Sequence, residues 1–194
     1  CQTDYQKTQD VLKEIIGGLK SMEDAMERLL LEPTDKNLTR YGEIQEKYQE
    51  ADGYEMEGRI QKELYLMGLP EEILVRNFKV LSGGEKTKIL MIALFLRPNA
   101  FVLMDEPTNH LDLPGKQSVA AYLKQKKGFL VVSHDRHFLD QVTDHILAIN
   151  KSNITLERGN YSTWKENVEK KETFEFRTQT NLVKEIADLE RGAV

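Results

Sequence analysis

Apolar side chains recur at intervals of three and four through the first third of the chain, a spacing that predicts helices. Ser21, with Asp24 three residues later, predicts the start of one helix, and Pro33 predicts its end. Further helices are predicted over Lys36–Glu50 and Glu55–Met67. Because the apolar faces are narrow and many charges lie between them, this section predicts a small helical subdomain beside a larger core. The first two apolar faces consist of Val11, Leu12, Ile15, Ile16, Leu19, Met22, Met26, Leu29 and Leu30.

The pattern changes at Val80, where helices begin to alternate with short, nearly all-apolar segments. This alternation predicts an α/β fold. The apolar segments are typical of parallel strands covered on both faces. The predicted elements are a helix at 82–96, a strand at 100–104, a helix at 114–126 and a strand at 128–133.

The last part of the chain predicts an edge hairpin followed by a long charged helix. The hairpin strands are predicted at 146–149 and 154–157, with a turn at 151–153. From Trp164 to Arg191 there are six basic and seven acidic residues, so the helix is a mixed-charge strand of a coiled coil rather than a basic nucleic-acid-binding arm. Its apolar positions are Trp164, Val168, Leu182, Ile186 and Leu189.

Composition limits the partners and the location. With 194 residues, 40% hydrophobic and 30% charged, the chain can bury one sizeable core or two small ones. Its longest apolar run, Ile89–Leu96, is far shorter than the roughly 20 residues that cross a bilayer, so no membrane insertion is expected. The net charge of -5 means that contact with nucleic acid must be local. The start of the chain has no secretory leader and reads as mid-protein, and a single Cys1 suits the cytoplasm.

Three motifs carry the candidate chemistry. They are Leu81–Glu85, then Phe101–Asp112, which contains Asp105-Glu106, and then Ser133-His134-Asp135. In this order and at this spacing they resemble an ATP-binding cassette (ABC) ATPase. The chain contains no Gly-x-x-x-x-Gly-Lys-Ser/Thr phosphate loop. The resemblance therefore implies a P-loop NTPase-like ABC core that lacks the phosphate-loop segment, together with an α-helical subdomain and a C-terminal linker helix.

The resemblance assigns different roles to the two carboxylates that end the strand at 100–104. Asp105 is expected to hold Mg²⁺ through water, and Glu106 to position and polarise the water that attacks the γ-phosphate of ATP. An acidic strand end facing solvent is the plainer alternative, but the unbroken run Pro107–Asp112 disfavours it. His134 follows the next strand and is expected to donate a hydrogen bond to the same γ-phosphate. His137 and His145 are interpreted as ordinary surface or packing residues.

Leu81–Glu85 corresponds to the family's signature motif. Ser82 and Glu85 fit a capping box, which by itself predicts a well-capped helix. Gly83 and Gly84 add backbone N–H groups that can approach a phosphate closely. In ABC proteins this motif contacts the nucleotide held by the other cassette, so the resemblance places Ser82, Gly83 and Gly84 in the ATP site.

Two further positions are assigned through the resemblance. His110 and Asp112 lie in the loop that runs along the opposing cassette, and Asp112 is counted with the ATP-binding residues. Gln2 is interpreted as the Q-loop glutamine, which contacts Mg²⁺ and the attacking water and couples the core to the helical subdomain. The expected domains are a Q-loop region at 1–10, the helical subdomain at 11–79, the catalytic core at 80–160 and the start of an interdomain linker at 161–194.

Within the ABC proteins, the loop Asp105–Asp112, the segment Ser133–Leu139 and Gly159–Ser162 before the charged helix resemble the ABC-F family. These are soluble tandem cassettes that bind ribosomes. The resemblance implies the later two-thirds of a first cassette, with a second cassette in the same polypeptide. It also implies ribosome binding in the ATP state, with contacts to rRNA and tRNA through the linker. Protection of ribosomes from antibiotics and tuning of translation are both functions within the family.

Three alternatives remain open from the sequence. An ABC transporter ATPase shares the signature and the carboxylates, but the Thr108–Asp112 loop and the linker-like helix favour ABC-F. A chromosome-maintenance or repair ATPase separates its phosphate loop from its signature by a coiled coil, whereas this chain has short helices there. The third reading concerns the chain alone, which without a phosphate loop is expected to be an inactive scaffold.

Overall fold

The computed structural model describes residues 7–150 and 153–192, with side chains described as far as residue 184. The chain divides into two compact units, Cys1–His134 and Asp135–Val194. The helices in the described ranges are α1 Thr8–Gly17, α2 Leu19–Leu31, α3 Asp35–Glu50, α4 Met56–Met67, α5 Gly83–Leu96, α6 Leu113–Leu123, α7 Arg136–Val142 and α8 Tyr161–Gly192. The strands are β1 Val102–Asp105, β2 Phe129–Val132, β3 His145–Ile149 and β4 Ile154–Arg158. Short 3-10 turns occur at Gly53–Glu55, Glu71–Val75 and Phe78–Val80.

The helices of the first third form where the periodicity predicts them, with one start misplaced. Ser21 does not begin a helix, because α2 starts at Leu19 directly after Gly18, which adopts a left-handed φ of 71°. The Ser21 hydroxyl instead donates a hydrogen bond to the carboxylate of Glu14 on α1. Helix α3 begins after Thr34, whose side chain accepts the N–H of Asn37. Glycine conformation, rather than a side-chain cap, therefore sets the boundary between α1 and α2.

The core of the first unit lies around α5. This helix packs against α1 and α4, and α4 in turn packs against α6. Each fully buried aliphatic side chain stabilises the unit by roughly 1.5–3 kcal/mol. The core contributors on these four helices include Leu12, Ile16, Ile60, Leu64, Met67, Ile89, Ile92, Val119 and Leu123.

Strands β1 and β2 form the parallel pair that their apolar sequences predict. Val102 pairs with Phe129 and Asp105 with Val132, and the N–H of Glu106 continues the ladder to the carbonyl of Val132 at 2.9 Å. The prediction that both faces are covered is wrong for the described residues, since Leu103 is 69% exposed. Val102 and Met104 of β1 are buried whereas Leu103 and Asp105 are exposed, so alternate side chains of β1 face solvent.

The second unit contains the predicted hairpin and the long helix. Strands β3 and β4 pair antiparallel, with Leu147 opposite Leu156. Lys151 and Ser152 of the predicted turn lie outside the described residues, as do the side chains of Ile186 and Leu189. Helix α7 was not predicted, because seven residues are too few to show a helical period. Its N-cap, Asp135, accepts the N–H of Phe138 at 3.1 Å.

Among residues 7–150 and 153–192, no helix has both the length and the apolar character needed to span a membrane.

Candidate active site

Glu106 occupies a strained backbone position at the end of β1. Its φ of 46° lies in the left-handed region, which residues other than glycine rarely adopt. Such a conformation costs on the order of 1–3 kcal/mol and persists only where the surroundings fix it. Here the N–H of Glu106 is held by the carbonyl of Val132, and its own carbonyl accepts the N–H of Asn109 at 3.3 Å. The chain therefore turns sharply at Glu106 and directs the carboxylate toward the end of β2.

The Glu106 carboxylate is bound to the segment that follows β2. Its Oε1 accepts the backbone N–H of His134 at 2.7 Å, and its Oε2 accepts the Ser133 hydroxyl at 3.2 Å. Nε2 of His134 lies 3.8 Å from Oε1. The structure thus brings together the two residues predicted to be catalytic, Glu106 and His134, at the same edge of the parallel strands.

The accessibility of these groups differs. The side chain of His134 is 99% exposed, whereas that of Glu106 is 21% exposed. Asp105 is exposed at the last position of β1. The exposed imidazole of His134 and the exposed carboxylate of Asp105 therefore lie beside the Glu106 carboxylate, whose position is fixed by hydrogen bonds. A phosphate group and a water molecule can approach these side chains from solvent.

The signature motif forms the capping box that its sequence predicts. The Ser82 hydroxyl accepts the N–H of Glu85 at 3.2 Å, and the Glu85 carboxylate accepts the N–H of Ser82 at 2.8 Å. Glu85 also forms an ion pair with Arg76 at 2.7 Å. The N–H of Ser82, and then the Arg76 guanidinium, hold the pKa of Glu85 below its usual value of 4.5. The carboxylate that caps α5 is therefore ionised at neutral pH.

Both signature glycines lie against the loop between β1 and α6. A Cβ placed on Gly84 would lie 3.2 Å from Cδ2 of Leu111 and 3.3 Å from the His110 carbonyl oxygen. One placed on Gly83 would lie 3.5 Å from the Cβ of His110. Because Gly83 and Gly84 have no side chain, the loop can pack closely against the start of α5. The same lack of a side chain would also allow a phosphate to approach the helix N-terminus.

The same loop connects the signature to Glu106. Thr108 is 2% exposed and its carbonyl accepts the N–H of Leu111 at 3.2 Å, which closes a turn within the loop. Asp112 is the N-cap of α6 and accepts the N–H of Gly115 at 2.9 Å. Asp112 therefore has a structural role in this unit, and its assignment to the ATP site stays a prediction.

The predicted metal ligands are only partly described. Gln2 lies outside the described residues. Within 7–150 and 153–184, no cluster of three or more His, Cys, Asp or Glu side chains suits a metal ion. The open carboxylate of Asp105 fits Mg²⁺, which binds through one or two carboxylates and keeps waters and phosphate oxygens as its other ligands.

Sequence reasoning missed two residues of this site. The motif Ser133-His134-Asp135 gives Ser133 no role of its own, but in the structure its hydroxyl donates to the Glu106 carboxylate. The position of Ser133 directly before His134 is the sequence signal that could have indicated this contact. Arg76 was not singled out, because an ion pair formed across nine residues and an irregular segment leaves no periodic signal in the sequence.

Comparison with known proteins shows which proteins this chain resembles. No family model matches the chain. The uncharacterized ABC transporter ATP-binding protein YkpA of Bacillus subtilis is 35% identical over 164 residues, which are 81% of this chain and 30% of that protein. The energy-dependent translational throttle protein EttA of Mycobacterium tuberculosis, an ABC-F protein, is 30% identical over 172 residues, which are 88% of this chain and 30% of that protein.

Over most of its length, the chain is therefore homologous to EttA of the ABC-F family and to other ABC ATP-binding proteins. The predicted α/β fold with a helical section is confirmed by the helices and by the parallel pair of β1 and β2. The chain spans about 30% of the length of the curated relatives it matches. Among solved structures, cbiO1 from Clostridium perfringens, part of an ABC transporter complex, shares 21% identity with a TM-score of 0.47 over 59% of this chain and 47% of that chain.

Proposed function

We propose that this chain is part of an ABC-F ATPase that hydrolyses ATP between two cassettes and binds ribosomes in the ATP state. The observation that carries the proposal is the hydrogen bond from the His134 N–H to the carboxylate of Glu106, a residue held at a φ of 46°. It fixes a carboxylate beside an exposed histidine at the carboxyl end of two parallel strands. Ligands of open α/β folds bind at this edge.

Glu106 is the residue that positions the attacking water. Its carboxylate already accepts two hydrogen bonds, from Ser133 and His134, and a carboxylate has about four acceptor sites. The remaining sites accept the protons of a water and orient its oxygen toward the γ-phosphate. Because the Glu106 carboxylate is held by these two hydrogen bonds, this alignment costs little reorganisation when the reaction occurs.

His134 and Asp105 flank that water. The exposed imidazole of His134 donates a hydrogen bond to a γ-phosphate oxygen and stabilises the charge of the transferring group. Asp105, together with Gln2, would hold Mg²⁺. The metal ion, when bound, neutralises charge on the phosphate oxygens.

The signature acts on the nucleotide of a second cassette. The N–H groups of Gly83 and Gly84 lie in the first turn of α5, where unpaired backbone donors and the helix dipole favour an anion. Asp112, in the loop packed on these glycines, faces the same partner cassette. In this proposal the chain alone does not hydrolyse ATP, since its sequence has no phosphate loop.

The ribosome part of the proposal is supported by the EttA relatives, whose name describes a translational throttle. The charged helix α8 is then the start of the linker between two cassettes. Whether the protein protects ribosomes from antibiotics or tunes translation depends on residues beyond α8.

Ribosome co-sedimentation tests this function. The full-length protein carrying Glu106→Gln is mixed with ribosomes in ATP and, separately, in ADP. Co-sedimentation in ATP and its loss in ADP are expected, because the variant is held in the ATP state. If the variant binds ribosomes in neither ATP nor ADP, the proposed ribosome binding is contradicted, and a transporter or chromosome-maintenance ATPase is favoured.

A further inference from the structure

The capping box of α5 is joined to a residue outside the helix. Arg76 precedes α5 in an irregular segment, and its Nη1 donates to Oε1 of Glu85 at 2.7 Å. The other oxygen of the same carboxylate, Oε2, accepts the N–H of Ser82. The Glu85 carboxylate therefore bridges Arg76 and the first residue of the signature glycine turn.

The backbone of Arg76 is fixed from the opposite side by α1. The Arg76 carbonyl accepts two hydrogen bonds from Thr8, one from its N–H at 2.9 Å and one from its hydroxyl at 3.0 Å. Thr8 is completely buried. The neighbouring residues Lys7 and Asn77 form an isolated antiparallel bridge. The start of α1 and the Arg76 segment are thus hydrogen-bonded to each other.

These contacts form one continuous path. It runs from the N-terminus of α1 through the Thr8–Arg76 hydrogen bonds, along the Arg76 side chain to Glu85, and from Glu85 to the backbone of Ser82. Every step is a hydrogen bond between 2.7 and 3.0 Å. The path joins the segment that follows the predicted Q-loop region to the motif that faces the nucleotide.

The Arg76–Glu85 pair is suited to orientation more than to stability. The two side chains are 43% and 26% exposed, and ion pairs with such access to water stabilise a fold only slightly. Glu85 caps the helix whether or not Arg76 is present, since a capping box needs only a Glu or Gln at its third position. What Arg76 adds is a fixed direction for the carboxylate that holds the Ser82 N–H.

We propose that Arg76 is a positioning residue that, through Glu85, sets the orientation of the signature motif. This inference rests on the proposed ATPase function. Arg76, held at its carbonyl by Thr8, fixes the direction of the Glu85 carboxylate, and Glu85 in turn directs the N–H of Ser82 and the start of α5 toward the partner's nucleotide. Arg76 itself does not touch the reacting groups.

The test uses the full-length protein with three variants. Arg76→Gln removes the charge, Arg76→Lys keeps the charge, and Glu85→Gln keeps the capping box while weakening the ion pair. Arg59→Gln is the matched control, because Arg59 forms an ion pair of 2.9 Å with Asp52 that is similarly exposed. All four proteins are expected to melt within about 2 °C of the parent.

Two measurements separate positioning from folding. Amide hydrogen exchange at Ser82–Glu85 is expected to be several-fold faster in Arg76→Gln and Glu85→Gln and unchanged in Arg59→Gln. The kcat for ATP is expected to fall roughly tenfold in Arg76→Gln with KM unchanged, since a misplaced signature affects turnover and not binding at the other phosphate loop. Arg76→Lys is expected to recover most of kcat, and Arg76→Gln combined with Glu85→Gln is expected to be no worse than either alone.

The outcomes that overturn the inference differ from those that overturn the ATPase function. Unchanged exchange at Ser82–Glu85 in Arg76→Gln overturns the positioning role even if the protein hydrolyses no ATP. Faster exchange with full turnover also overturns it, because the signature would then tolerate the shift. Loss of turnover in the parent protein, or full turnover in Glu106→Gln, contradicts the proposed function and leaves the exchange result to decide the role of Arg76.

Discussion

The backbone N–H of His134 donates a 2.7 Å hydrogen bond to the carboxylate of Glu106, although 28 residues separate the two in the sequence. The bond crosses between the carboxyl ends of β1 and β2, which pair in parallel. It sets the direction of the carboxylate independently of any ligand.

Replacing Glu106 with Gln is expected to reduce ATP turnover about 10²–10⁴-fold in the full-length protein, because an amide cannot polarise the water. The amide oxygen still accepts the His134 N–H, so the fold and ATP binding are retained. Steady-state phosphate release and nucleotide binding are the measurements. Glu172→Gln, at an exposed position on α8, is the control and leaves turnover unchanged. Undiminished turnover in Glu106→Gln would remove this residue from the mechanism.

Replacing Gly84 with Ala is expected to lower ATP turnover without stabilising the protein. The added Cβ would approach Leu111 Cδ2 at 3.2 Å and the His110 carbonyl at 3.3 Å, so the loop must shift by a few tenths of an ångström. Gly58→Ala in α4 is the control, since a Cβ there meets nothing within 4 Å. It is expected to raise the free energy of unfolding by about 0.5–1 kcal/mol. Equal stabilisation by both variants would show that the loop is not tightly packed on Gly84.

The Lys13 cluster predicts how the stability of the first unit depends on pH. Nζ of Lys13 lies 2.9 Å from Oε1 of Glu23 and 2.9 Å from Oε1 of Glu57. The hydrogen bond with Lys13 holds the pKa of Glu57 below its ordinary 4.5. Burial acts to lower the pKa of Lys13, but its bonds to the two carboxylates outweigh burial and raise the pKa above 10.5.

The direction of each pKa shift determines how the stabilising contribution of that group depends on pH. The contribution of Glu57 is complete above pH 4.5 and is lost as pH falls through its folded pKa. The contribution of Lys13 is complete below pH 10.5 and is lost as pH rises through its folded pKa. Urea unfolding of the parent and of Lys13→Met, repeated across a range of pH, measures the free energy of unfolding of both proteins. The difference between the two free energies is expected to shrink at low pH and at high pH. Lys62→Met, at an exposed site, is the control. A pH-independent difference would mean that Lys13 acts through packing alone.

Removing the Tyr122 hydroxyl is expected to destabilise the contact between α4 and α6. This hydroxyl donates to Oε2 of Glu63 at 2.5 Å, and Nζ of Lys126 donates to the same oxygen. Tyr122→Phe is expected to cost about 1.5–3 kcal/mol, the usual value for a hydrogen bond to a charged group. Tyr65→Phe is the matched control, because Tyr65 lies on α4 but is 84% exposed. Equal stability of the two variants, measured by chemical denaturation, would contradict the prediction.

Much of the fold was predictable because its signals are local. The capping box of Ser82 and Glu85 is readable from two residues three apart, and the structure confirms it. The apolar runs of β1 and β2 predicted a parallel pair, which is confirmed. The wrong start at Ser21 has the opposite cause: a serine inside a helix resembles a cap, while the boundary was set by the left-handed turn at Gly18.

From the amino-acid order alone follow the resemblance to ABC-F proteins, the order of helices and strands around the signature, and the residue types that bear the chemistry. Periodicity, capping and motif spacing act over a few residues, so they can be recognised without the fold. The folded chain was needed to show the strained turn of Glu106, its bond to His134, the packing of Leu111 on Gly84 and the link from Thr8 through Arg76 to Glu85. These contacts depend on how elements distant in the sequence pack together, and no local pattern encodes which partners meet.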